Sequence, residues 1–146
     1  MQQFELSAVE RDALNEIGNI GAGNASTALA QLTKMSIELT VPETTVVPFE
    51  DLPLVTSQEP EDILASAYVA FEGDAEGSLL LLFTPEQIVN LFSLISVEPP
   101  ENVMMMSEMQ QSAVSEAGNI IASSYLRALS EFTHLELLPV PPGVAV

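Results

Sequence analysis

From Ser7 onward the apolar positions return at helical spacing. With each residue turning the chain by about 100°, Leu14, Ile17, Gly21, Ala25, Ala28, Leu29 and Leu32 gather on one side of a helix. Asp12, Glu16, Asn19 and Gly23 fall within a stripe roughly 60° wide on the opposite side. The pattern then returns, shifted from Ser7 to Ser107. Val114, Ala117, Ile121, Tyr125, Ala128, Leu129 and Phe132 take the apolar side, and Ser112, Glu116, Asn119 and Ser123 the polar one. Each stretch opens on a capping box, Ser7 with Glu10 and Ser107 with Gln110, in which the hydroxyl takes an orphan backbone N–H and the acid or amide reaches back. Ala13, Glu16, Gly18, Asn19 and Ile20 land on Ala113, Glu116, Gly118, Asn119 and Ile120. A repeat of that length predicts two units related by a pseudo-twofold axis.

Between the two helices the period changes. Ser36–Val41 alternates as a strand does, Pro42 interrupts it, and Thr45–Phe49 resumes before an acidic loop carrying Pro48, Pro53 and Pro60. Ile63–Phe71 and Gly77–Phe83 read as two strands around a turn at Gly73-Asp74, a hairpin buried on at least one face. Thr84-Pro85-Glu86-Gln87 starts a shorter helix that runs to about Ile95. Val97–Asn102 is a linker, and Met104, Met105 and Met106 read as an apolar staple entering the second long helix. The expected fold is therefore α+β: units of helix, strand region, hairpin and helix, with two long helices packed on an antiparallel sheet. One domain covers residues 1–146, with a first repeat over about 7–96 and a second over about 104–146. The second repeat stops after its first strand region, and a sheet left incomplete predicts an exposed edge, with either self-association or marginal stability as the result.

Composition narrows the functional classes. At 146 residues and 47% hydrophobic the chain has material for an ordinary core. Twenty-one acids against three bases give a formal charge of −18, which repels nucleic acid and anionic membrane surfaces. No apolar run reaches the length of a membrane span, and the absence of cysteine fits the cytoplasm. His134, the single histidine, stands in no zinc-binding pattern and reads as a surface residue after a helix, the counterpart of Lys34.

The candidate chemistry lies on the two polar stripes. Asp12, Glu16, Asn19 and Pro42 fill the spacing Asp/Ser-x3-Glu-x2-Asn-x22-Pro once, and Ser112, Glu116, Asn119 and Pro142 fill it again. At average residue usage the Glu, Asn and Pro of that spacing coincide at roughly one start position in ten thousand. Duplication alone also keeps a solvated helix face similar, so the pattern leaves a shared functional surface and a decorative repeat both standing. The motif and the surrounding NEIGNIGAGNASTAL resemble the CheC family of chemotaxis phosphatases, related to CheX and FliY. Two complete motifs resemble CheC in particular, because CheX-type proteins carry one.

The resemblance implies a phosphatase acting on the aspartyl phosphate of a CheY-like response regulator. Its receiver domain brings its own magnesium ion and lysine, so the phosphatase needs no cofactor of its own. Asn19 and Asn119 would hold the attacking water: a carboxamide both donates and accepts without titrating, so it positions rather than deprotonates. Phosphoryl transfer through a loose transition state asks for placement more than for a strong base. Glu16 and Glu116 would pair with the receiver's lysine, with Asp12 and Ser112 as lesser contacts. Pro42 and Pro142 would support each helix, although a strand end or a turn explains them equally well. The family also includes partnership with the deamidase CheD. A non-catalytic module, docking a receiver or adaptor through the same faces, is the competing reading. The family pattern continues through a second hairpin and short helix, which this sequence lacks.

Overall fold

The computed structural model describes residues 5–39, 44–56, 65–140 and 143–145. Its elements are α1 (Ala8–Thr33), a short α2 (Leu52–Thr56), β1 (Ala65–Gly73), β2 (Gly77–Phe83), α3 (Pro85–Leu94), α4 (Glu108–Thr133), β3 (Leu137–Pro139) and β4 (Gly143–Ala145). The architecture is α+β, as the alternation of periods predicts. Pro42 and Pro142 lie outside the described residues.

Both long helices start and stop by the same devices. The Ser7 N–H donates to Glu10 Oε2 at 2.8 Å while Ser7 Oγ accepts from the Glu10 N–H at 3.2 Å. Ser107 and Gln110 repeat these bonds at 2.8 and 3.2 Å. At the other end the chain leaves each helix through a left-handed residue, Lys34 at φ 58° and His134 at φ 60°. Just before it, Thr33 and Thr133 donate to the carbonyls of Leu29 and Leu129 at 2.8 and 2.7 Å. His134 is exposed, as expected of a residue past a helix end.

β1 is the centre of the sheet. Its antiparallel partner on one edge is β2, in register from Ala65↔Phe83 to Phe71↔Gly77. Two short strands of the second repeat also pair with it: β3 opposite Phe71–Gly73 and β4 opposite Ser66–Tyr68. Gly73 makes the tight exit from β1 possible. It sits at φ 131°, and a Cβ there would collide with the Glu136 carbonyl oxygen, which instead accepts the Asp74 N–H at 2.9 Å. Asp74 returns the contact, its Oδ2 accepting the Glu136 N–H at 2.8 Å.

Ala65, Ala67 and Val69 on alternate positions of β1 are fully buried. Gly118 of α4 lies directly over this row: a Cβ added there would stand 2.6 Å from Ala67 Cβ. α1 in turn lies against α4, where a Cβ on Gly21 would come within 2.9 Å of Tyr125 Cα. Small residues thus set both the helix–sheet and the helix–helix spacing. The main buried cluster joins Ala65, Ile88 and Phe92 to Val103, Met106 and Val114, so α3 is clamped onto the start of α4. The opposite face of the sheet leaves Tyr68, Leu80 and Leu138 about half exposed.

Three expectations need correction. Ser36–Leu39 and Thr44–Pro48 form no strand, and the proline-bearing stretch after them holds a 3₁₀ turn (Phe49–Asp51) and α2. The Leu39 N–H donates instead to Ser26 Oγ at 2.8 Å. Of the three methionines only Met106 is buried, against Val114 and Phe92; Met104 and Met105 sit in a 3₁₀ turn and face solvent. Leu32 and Phe132, assigned to the apolar side, are 56% and 55% exposed. Each occupies the last turn of its helix.

Candidate functional site

The polar stripes survive folding. Asp12, Glu16 and Asn19 are exposed on α1, and Ser112 and Glu116 on α4, while Asn119 is half-buried at the surface. The reason is the placement of the small residues. Gly21 brings α1 close to α4 at Tyr125, and Gly118 seats α4 on the sheet at Ala67, so the residues on the far side of each helix are left facing out. Glu and Asn three positions apart on a helix have Cβ atoms about 5–6 Å apart, so acid and carboxamide reach out side by side. Each pair sits near the middle of a 26-residue helix, where the backbone is fully bonded and the side chains project from a rigid base.

The two sites are not identical. On α4 the Ser123 hydroxyl, one turn beyond Asn119, donates to its Oδ1 at 3.5 Å. At the matching position α1 carries Gly23, where an added Cβ would meet nothing within 4 Å. The carbonyl of a carboxamide has two lone pairs, so Asn119 keeps acceptor capacity for a water beside the long contact from Ser123.

Three features escaped the sequence reading. Val9 and Met109, one turn before Asp12 and Ser112, are 79% and 71% exposed and extend both stripes with an apolar residue. Their matched positions were the available signal. Asn15 lies one turn before Asn19, its side-chain oxygen buried without a hydrogen-bond partner; nothing in a helical-wheel pattern distinguishes it. Tyr125, assigned simply to the apolar side, is half-buried at the crossing with Gly21, and burial raises its hydroxyl above the ordinary tyrosine value. Among the described residues, no group of three or more His, Asp or Glu side chains is arranged to hold a metal ion. No helix among them is long and apolar enough to cross a membrane.

Comparison with known proteins gives this geometry its context. A family profile described as "CheC-like family" matches residues 9–46 and 109–146, just over half of the chain and the same two stretches that carry the stripes. The chain is 35% identical over 140 residues to the CheY-P phosphatase CheC of Bacillus subtilis (strain 168), an alignment covering 94% of this chain and 66% of that protein. It is 29% identical over 140 residues to the flagellar motor switch phosphatase FliY of the same organism, covering 96% of this chain and 36% of FliY. This chain therefore spans just under two thirds of one relative and about a third of the other. Among solved structures, that of Thermotoga maritima FliY superimposes with a TM-score of 0.76 at 26% identity, over 97% of this chain and 70% of that one. Doubled motif, duplicated helix caps and shared fold lead to one conclusion: the chain belongs to the CheC-like family.

Proposed function

We propose that this chain hydrolyses the aspartyl phosphate of a CheY-like response regulator, using Glu16 with Asn19 and Glu116 with Asn119. The observation that carries the reading is the outward, matched presentation of both Glu/Asn pairs on rigid helices. A carboxamide inserted beside an acyl phosphate can hold a water in line with phosphorus, and its amide does not titrate in the working range. Each glutamate pairs with the receiver's lysine and sets the register in which the asparagine enters. Magnesium arrives bound to the receiver, where it neutralises charge developing on the phosphoryl oxygens. Asp12 and Ser112 add polar contacts at the edge of the docked surface. The printed names of the Bacillus subtilis relatives, both phosphatases and one of them a CheY-P phosphatase, support the same assignment. A receiver substrate places the protein in the cytoplasm, and CheD is the further partner that family membership suggests.

The test is turnover. Catalytic amounts of the chain are added to a phosphorylated receiver with magnesium, and loss of phosphate is followed. Asn19→Ala/Asn119→Ala lowers the rate about a hundredfold with receiver binding kept, the size of effect expected when a reacting group loses its placement. Glu16→Ala/Glu116→Ala weakens binding as well as rate. Binding without any acceleration by the unmodified chain would assign it to the non-catalytic docking class instead.

A further inference from the structure

We infer that the second Glu/Asn pair has an apolar anchor pocket beside it, and that a receiver domain seats an aliphatic or aromatic side chain there. The inference rests on the reading of the stripes as receiver-docking surfaces. A groove of about 270 Å³ runs between the last turn of α1, the end of α3 and the middle of α4, lined by Leu32, Leu91, Leu94, Ile95, Ala113 and Glu116 among others. Glu116 belongs both to this groove and to the candidate site, so the groove continues the docking surface rather than forming a separate one. Ligand pockets for small molecules run from about 300 to 1,000 Å³, so this one suits roughly one or two side chains. Interfaces draw much of their energy from a few anchors that fill such pockets. An apolar floor with one carboxylate on its rim fits an apolar side chain next to a cation, which is how the receiver's lysine would arrive at Glu116.

The end of α3 is closed by its own backbone. α3 ends in a left-handed turn at Ser96, φ 57°, with the Val97 N–H bonded to the Phe92 carbonyl at 3.0 Å. This closes the helix and holds Ile95 at the rim. Leu91 and Ile95 pack down onto the buried cluster around Ile88 and Phe92. Leu32 and Leu94 stand outside that cluster, and Leu32 is 56% exposed. An exposed leucine on the last turn of α1 thus gains a role, as one wall of the pocket. The acid on the rim is Glu116 and not Glu16, so the pocket distinguishes the second motif from the first.

The test compares Leu94→Gln and Leu94→Met in two backgrounds, Glu16→Ala/Asn19→Ala (second motif intact) and Glu116→Ala/Asn119→Ala (first motif intact). The readouts are KM for the phosphorylated receiver and affinity for the same receiver loaded with beryllofluoride, a stable stand-in for the phosphoryl group. With the second motif intact, Leu94→Gln raises KM and weakens beryllofluoride-receiver binding about tenfold, the cost of losing one buried aliphatic contact. Leu94→Met restores both to within about threefold. With only the first motif intact, KM does not respond to position 94. Equal effects in the two backgrounds, no effect in either, or a change in self-association of the chain without a change in receiver affinity would each overturn the inference. If the unmodified chain binds the receiver without hastening hydrolysis, the proposed activity fails, and the affinity series alone decides the pocket. If it does not bind the receiver at all, both fail.

Discussion

Substituting Gly118 by alanine tests the packing on which the second site is built. A Cβ there would stand 2.6 Å from Ala67 Cβ, about 1 Å inside ordinary contact distance. Neither neighbour can turn aside, because a methyl has no rotamer and both backbones belong to regular elements. α4 must therefore lift from β1, and overpacking of this kind costs about 1–3 kcal/mol. Against this, replacing glycine by alanine within a helix returns about 1 kcal/mol, leaving a net loss of roughly 0–2 kcal/mol. Gly23 supplies the control, since its Cβ would meet nothing within 4 Å; there the helical gain of about 1 kcal/mol should appear undiminished. Urea unfolding followed by circular dichroism should separate Gly23→Ala from Gly118→Ala by about 1–3 kcal/mol. Adding Ala67→Gly to Gly118→Ala moves the methyl from strand to helix and should recover most of the packing loss, giving a favourable coupling of about 1–3 kcal/mol in a double-mutant cycle. A Gly118→Ala protein as stable as Gly23→Ala, or a cycle with no coupling, would refute the claim that this glycine sets the height of α4 above the sheet.

Two further expectations concern pH and association. Glu10 titrates below the ordinary glutamate value of 4.5, first because the Ser7 N–H bonds its carboxylate and then because the Ser7 side chain does. A lowered folded-state value means that the stabilisation is complete above the ordinary value and is lost as pH falls through the depressed one. Gln110, its counterpart, does not titrate, so acid should fray the start of α1 and spare that of α4. Carboxyl NMR of Glu10 with amide exchange at both helix starts checks this, and a midpoint at or above 4.5 would count against it. Among the described residues no strand pairs with the outer edge of β2, and an open edge predicts self-association, opposed by a formal charge of −18 on each chain. Sedimentation should accordingly show a shift to larger species as salt screens that repulsion, and a monomer at all ionic strengths would argue that the edge is protected.

How much was legible differs by element. The two long helices, their caps and the side each turns outward could be read from Ser7 to Thr33 and from Ser107 to Thr133 alone, because capping chemistry and a period of 3.6 are local properties. The Gly73 turn and the strand after it were legible for the same reason, and the Glu/Asn pairs because their spacing recurs intact. Strand identity was not. Ser36–Leu39 and the segment after His134 occupy matching positions, yet of the two, among the described residues, only the second forms strands, Leu137–Pro139 and Gly143–Ala145, since pairing depends on which segment the fold carries to an edge of the sheet. No local pattern states which segment will reach that edge first. The same holds for Leu32 and Phe132, whose spacing is apolar but whose burial depends on what packs against the last turn of each helix. The pocket beside Glu116 is tertiary throughout: its walls come from residues about 30, 95 and 115 along the chain, brought together only when Phe92 and Val114 close the core.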